Sequence, residues 1–159
     1  MRQAHHMEKR QQNTSPSFVL FGILDAGKST LFRALDATDG IIRKTQAIEF
    51  GENYGVDTPG EFFSSSWYHS ILTNLSSDID TLIFVHPANV PEISLPPGLL
   101  TVYSDKKFVT VLTKIDLPDA QTDYVEKMLR ASGIQDPFFR VNAKNKTTVH
   151  PLRQYLNLP

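Results

Sequence analysis

The sequence contains no cysteine, which excludes disulfides and thiolate metal sites. No apolar run approaches the roughly 18 residues that span a bilayer. The N-terminus lacks the apolar core of a signal peptide. Charge of one sign is also scarce. A formal net charge of −1 leaves no excess of positive charge for phosphate backbones or anionic lipid. The expectation is a cytoplasmic protein that engages neither nucleic acid nor membrane. What is present is enough apolar residue, 40% against 21% charged over 159 positions, to bury one core of ordinary size.

Residues 1–16 are polar and aperiodic and read as a disordered tail, in which His5 and His6 are tail residues rather than a site. From 17 to 159 strand-like and helix-like segments alternate, with no internal repeat and no second domain. Ser17–Gly22, Thr81–His86 and Phe108–Thr113 are short apolar runs and predict buried strands. Gln46–Phe50 and Tyr54–Thr58 flank Gly51-Glu52-Asn53 and predict a hairpin. Phe138–Asn142 predicts a last strand. Helices are expected over Ser29–Leu35, Phe62–Leu75, Asp119–Ser132 and Thr148–Leu156. Gly133 should stop the third, and Pro151 should fall in the first turn of the fourth. The four prolines of Pro87–Pro97 predict a loop. Alternation of this kind implies a mainly parallel sheet covered on both faces, with ligands at the carboxyl ends of its strands.

Gly22-Ile23-Leu24-Asp25-Ala26-Gly27-Lys28-Ser29 fits G-x-x-x-x-G-K-[ST] at a strand-to-helix junction. A nucleoside triphosphate needs many donors and little bulk around its phosphates. Gly22 and Gly27 let backbone N–H groups turn inward as an anion nest, to which the helix N-terminus adds its dipole. Asp25, Ala26 and Thr30 belong to the same cradle. Lys28 would serve the β- and γ-phosphates, and the Ser29 hydroxyl would hold Mg²⁺.

Asp57-Thr58-Pro59-Gly60 follows at a strand end. Asp57 is a second Mg²⁺ candidate, and the Gly60 N–H can meet a γ-phosphate. Thr45 best fits the threonine that completes Mg²⁺ coordination, ahead of Thr38 and Thr58. Thr113-Lys114-Ile115-Asp116 is the [NT]-K-x-D pattern of guanine readers. Guanine offers N1–H and N2–H₂ donors on one edge, and the Asp116 carboxylate accepts both, whereas adenine presents an acceptor there. The Lys114 stem can lie over the base, and its charge can reach back to the phosphate loop. Asn142-Ala143-Lys144 resembles S-A-K, whose backbone meets guanine O6, with Asn142 in place of serine.

These motifs, in this order, look like a translation-factor-type or Ras-like GTPase. The fold then expected is a three-layer α/β/α P-loop NTPase whose mainly parallel sheet has one antiparallel edge strand. Lys44–Phe50 (KTQAIEF), Asp57–Phe62 (DTPGEF), Trp67-Tyr68-His69, Leu82–His86 and Leu95–Leu100 further resemble the EutP/PduV family over about residues 17–157. The resemblance implies a GTP-binding protein that serves ethanolamine or propanediol utilisation and a bacterial microcompartment. A shell or pathway protein would be its partner, and the chain would be a monomer or a nucleotide-dependent dimer. Asp25 stands where many members carry glycine or another small residue, and the polar tail precedes the strand at which members tend to start.

Turnover needs an in-line water and stabilisation of charge on the transferring phosphoryl. Glu61 is the candidate for the water, and Arg43 for the charge. K⁺ near Asp25 is the other source of charge within the site. Trp67, Tyr68 and His69 read as core, or as a partner surface if exposed. Three functions follow: a slow switch GTPase, a phosphotransferase acting on a small carboxylate, and a docking module that retains nucleotide with little turnover.

Overall fold

The computed structural model describes residues 18–23, 25–35, 46–47, 81–92 and 99–158. β1 (Phe18–Phe21) is buried at all four positions, and β3 (Thr81–Pro87) at all seven. β4 (Lys107–Thr113) opens exposed at Lys107 and is buried from Val109 onward. β2 (Gln46–Ala47) and β5 (Phe138–Arg140) complete a five-stranded sheet in the order β2-β1-β3-β4-β5. Strands buried on both faces, without polar alternation, are what a sheet with helices above and below requires.

The period of two in a strand sorts the core into two layers. Val19, Phe21, Leu82, Phe84 and Leu112 face α3 (Thr122–Ala131), which contributes Val125 and Leu129. Phe18, Leu20, Ile83, Val85, Val109 and Val111 face the other way. They meet Leu31 and Leu35 of α1 (Lys28–Leu35) and Val149 and Leu152 of α4 (Lys146–Tyr155). This is the expected three-layer Ras-like α/β/α fold. Each large apolar side chain buried in this way stabilises the fold by about 1.5–3 kcal/mol. Phe21, Phe84 and Phe108 form one aromatic cluster, with centroids 5.4 Å apart for Phe21–Phe84 and 6.4 Å for Phe84–Phe108.

All four described pairings are parallel. The antiparallel edge strand is therefore not found among the described residues. Gln46–Ala47, expected to open a hairpin, run parallel to β1. The hairpin's second arm, 54–58, lies outside the described residues, as do the tail, the 62–75 helix with Trp67, Tyr68 and His69, and residues 93–97 of the proline-rich loop.

Two helices differ from expectation. α3 starts at Thr122 rather than 119, because Ala88 O accepts from Gln121 N–H (2.8 Å) and Leu117 O from Ala120 N–H, so the preceding backbone serves a turn. Its residue Tyr124 is exposed although it falls on the apolar period of the helix. Gly133 ends it as expected, at φ 102. α4 starts two residues early, at Lys146, because the Asn145 side chain accepts from Thr147 N–H and caps it. Pro151 consequently sits beyond the first turn, where it lacks the N–H that would meet the Thr147 carbonyl. The short helix α2 (Leu99–Val102) was not foreseen.

Two polar braces hold the outer elements. Arg140 of β5 reaches Asp123 and Glu126 of α3 at 2.7 and 2.8 Å, and Arg130 bridges Glu126 and Asp136. Partial burial would push the Glu126 carboxyl up, but hydrogen bonds from Arg130 and Arg140 outweigh it and hold the group below its ordinary range. On the opposite face Arg153 of α4 donates to the Leu35 carbonyl and so satisfies the C-terminus of α1.

Candidate nucleotide site

The chain runs from β1 to β2 on one side of it and then to β3 on the other, so the order reverses at β1. A crevice at the carboxyl end of such a strand is the expected ligand position. The phosphate loop leaves β1 there. A Cβ at Gly22 would lie 2.1 Å from the Val85 carbonyl oxygen, so only glycine lets the loop leave the sheet this close to β3. Asp25 adopts φ 58, which glycine adopts freely and aspartate tolerates. Gly27 follows at φ 89.

Lys28 opens α1 with its side chain folded into the loop. It is 6% exposed, and its ammonium donates to the carbonyls of Gly22 (3.0 Å) and Ile23 (2.5 Å). The positive charge is thus held inside the loop, at the N-terminus of a helix. Ser29 is half-buried on the same first turn, where a hydroxyl can meet a cation held by phosphates. Among the described residues no three carboxylate, imidazole or thiol groups gather as a metal cluster. Thr45 and Asp57, the other expected Mg²⁺ ligands, lie outside the described residues, as do Arg43, Gly60 and Glu61. Ser29 alone of the Mg²⁺ set is therefore described.

β4 delivers the second part of the site. The Thr113 hydroxyl donates to the Ala26 carbonyl, and the Thr113 carbonyl accepts from Ala88 N–H at 2.8 Å. Thr113 thus ties this motif back to the phosphate loop. Lys114 turns the chain with φ 57, a conformation that costs a non-glycine residue roughly 1–2 kcal/mol. Such a cost at a strand end marks a position fixed by its surroundings. Asn89 donates to Asp119 at 3.2 Å and closes the turn from behind.

The third part follows β5. Asn142 Oδ1 accepts from Lys144 N–H at 3.1 Å, so asparagine makes the local bond expected of the serine it replaces. Thr148 and Leu117 were not foreseen. The Thr148 hydroxyl bonds the backbone of Asn142, and Leu117 is 37% exposed at the rim, one residue after Asp116. Position after the two motifs was the only signal for either.

The three parts meet in one cleft of about 310 Å³. Gly27 and Thr30 line it from the phosphate loop, Thr113, Lys114, Asp116 and Leu117 from β4, and Asn142, Ala143 and Lys144 from β5. Gly22, Asp25, Ala26, Lys28 and Ser29 belong to the same loop and the first turn of α1 as Gly27 and Thr30.

The whole chain from 16 to 158 matches the family described as PduV-EutP, "Ethanolamine utilisation - propanediol utilisation". The protein belongs to this family. It is 43% identical over 136 residues to "Probable acetate kinase EutP" of Escherichia coli (strain K12), covering 85% of each chain. It is 29% identical over 140 residues to the "Propanediol utilization protein PduV" of Citrobacter freundii, covering 87% of this chain and 91% of that one. Among solved structures it resembles the translation elongation factor SelB of Methanococcus maripaludis, crystallised with the GTP analogue GppNHp. The TM-score is 0.60 at 18% identity, over 90% of this chain and 33% of that one. At that identity the likeness concerns the fold, and this chain spans about a third of that protein's length. The fold is thus that of P-loop NTPases, and the family is the one described for ethanolamine and propanediol utilisation. No helix among the described residues is long and apolar enough to cross a membrane.

Proposed function

We propose that this protein binds a guanine nucleotide with Mg²⁺ and hydrolyses GTP slowly as a switch in ethanolamine or propanediol utilisation. The observation that carries this reading is the shared cleft. Asp116 and Asn142–Lys144, from the ends of two different strands, line it together with Gly27 and Thr30 of the phosphate loop. A base held by the first group would have its phosphates at the second.

The roles divide as follows. Asp116 accepts from guanine N1–H and N2–H₂, and the Ala143 region meets O6. The loop N–H groups and Lys28 neutralise phosphate charge. Ser29 holds Mg²⁺, with Thr45 and Asp57 as its partners. Gly60 senses the γ-phosphate, Glu61 orients water, and charge on the transferring phosphoryl is met by Arg43 or by K⁺ near Asp25. Nucleotide state would govern docking to a shell or pathway protein in the cytoplasm or microcompartment, as a monomer or a nucleotide-dependent dimer.

The name carried by the Escherichia coli relative favours a second reading, phosphoryl transfer to a small carboxylate. One experiment separates the two: phosphate release with Mg²⁺ from GTP and from ATP, with and without acetate or propionate. Preference for GTP, with free phosphate unaffected by the acids, is the expected result. Acyl phosphate in place of free phosphate would establish the kinase. Binding of GTP without turnover would leave a docking module.

A further inference from the structure

We propose that Thr148 is the positioning residue of the guanine-reading loop, acting through the backbone of Asn142. This rests on the guanine reading above and goes beyond it by naming what holds the loop in shape. The Thr148 hydroxyl accepts from Asn142 N–H at 2.9 Å. Its single proton is shared between the carbonyls of Asn142 and Asn145, each 2.8 Å away. Asn142 O also accepts from Asn145 N–H at 2.8 Å, and Asn142 Oδ1 from Lys144 N–H. Residues 142–145 are thereby wrapped around one side-chain oxygen on the first turn of α4.

That oxygen does not line the cleft, whereas Asn142, Ala143 and Lys144 do. Thr148 therefore touches no ligand. It fixes the peptide planes of the segment whose N–H groups would face guanine O6. Capping of α4 is a separate task, carried by Asn145 Oδ1 on Thr147 N–H. Val149, the next residue, is buried against the core, which locks the hydroxyl in register with the loop. A hydroxyl is needed because the position must accept and donate at once. Valine has the same shape and can do neither.

The test compares affinity for GDP with affinity for 2-aminopurine riboside 5′-diphosphate, which keeps the N2 amine but lacks O6 and, with it, the N1 proton that Asp116 would accept. The change on substitution, and not the absolute preference, therefore reads the O6 contact. The wild-type protein should prefer GDP. T148V should weaken GDP binding roughly fivefold to tenfold, as loss of one positioned hydrogen bond implies, and leave the analogue within about twofold. T148S, which keeps the hydroxyl, should restore the preference. Should T148V fail to melt cooperatively, T148A is read in the same way. A GDP preference unchanged in T148V, or both affinities falling together, would overturn the positioning role and leave the guanine reading standing. A wild-type protein that does not distinguish the two nucleotides would overturn both.

Discussion

Thr113 and Ala26, 87 residues apart in sequence, are joined by a hydrogen bond from the Thr113 hydroxyl to the Ala26 carbonyl. Both residues are buried, at 3% and 0% exposure, so no water replaces the donor if it is lost. The bond makes the turn at Lys114 and the phosphate loop one unit. T113V should leave a buried carbonyl unsatisfied and lower stability by about 1–3 kcal/mol. Denaturant unfolding of the two proteins measures this, and equal midpoints would show the bond to be dispensable.

Asp116 should carry the choice of base. A carboxylate accepts twice, whereas an amide accepts once and donates once. D116N should therefore lose affinity for GDP and gain it for xanthosine diphosphate, whose C2 carbonyl replaces the guanine amine. A change on the order of 10²–10⁴ in the ratio is expected from reversal of a hydrogen-bonded match. Competition binding with the two diphosphates would measure it. Continued selection of GDP by D116N would remove Asp116 from the base site.

Gly22 and Gly27 should tolerate alanine differently. At Gly22 the added Cβ meets backbone oxygen at 2.1 Å, and neither β1 nor β3 can retreat without disturbing the sheet. At Gly27 the nearest atom is 3.6 Å away, and only the positive φ resists. G22A should cost more than about 3 kcal/mol or yield insoluble protein, and G27A about 1–2 kcal/mol. The ranking of midpoints decides it, and G27A as the worse variant would contradict the close approach of Gly22 to β3.

His86 should make stability depend on mild acid. Its ring is buried, Nε2 donates to the Val90 carbonyl at 2.8 Å, and Nδ1 has no partner among the described residues. Burial pushes its pKa below the ordinary 6.5, against the weaker upward pull of the Val90 carbonyl. Between that folded value and 6.5 the unfolded chain binds more protons, so the contribution is whole above about 6.5 and is lost as pH falls below it. Thermal midpoints from about pH 7.5 to 5.5 should drop in the wild type and drop less in H86L. Parallel slopes would assign the acid sensitivity elsewhere.

Legibility in the sequence followed the physical origin of each feature. β1, β3 and β4 were readable because strands buried on both faces leave continuous apolar runs. The phosphate loop, Asp116 and Asn142–Lys144 were readable because their chemistry admits few residue types at fixed spacing. The start of α3 was not, since it depends on a bond between Ala88 and Gln121 that sequence distance hides. Tyr124 fits a helical apolar period, yet the core at that level is already filled by Val125 and Leu129. Thr148 carries no motif of its own, and its importance comes from the loop that folds back onto it.

The strand order has a consequence for assembly. β3 is added beside β1, and β4 and β5 each beside the strand before them, so the sheet can grow outward from β1 as the chain is made. The cleft cannot close until the last part, 142–148, has arrived. A nucleotide that touches all three parts binds only the finished domain, and so draws the folding equilibrium toward completion by mass action. In a chain whose first and last contributions to one cleft are more than a hundred residues apart, a ligand held there would act as the final cross-link of the fold.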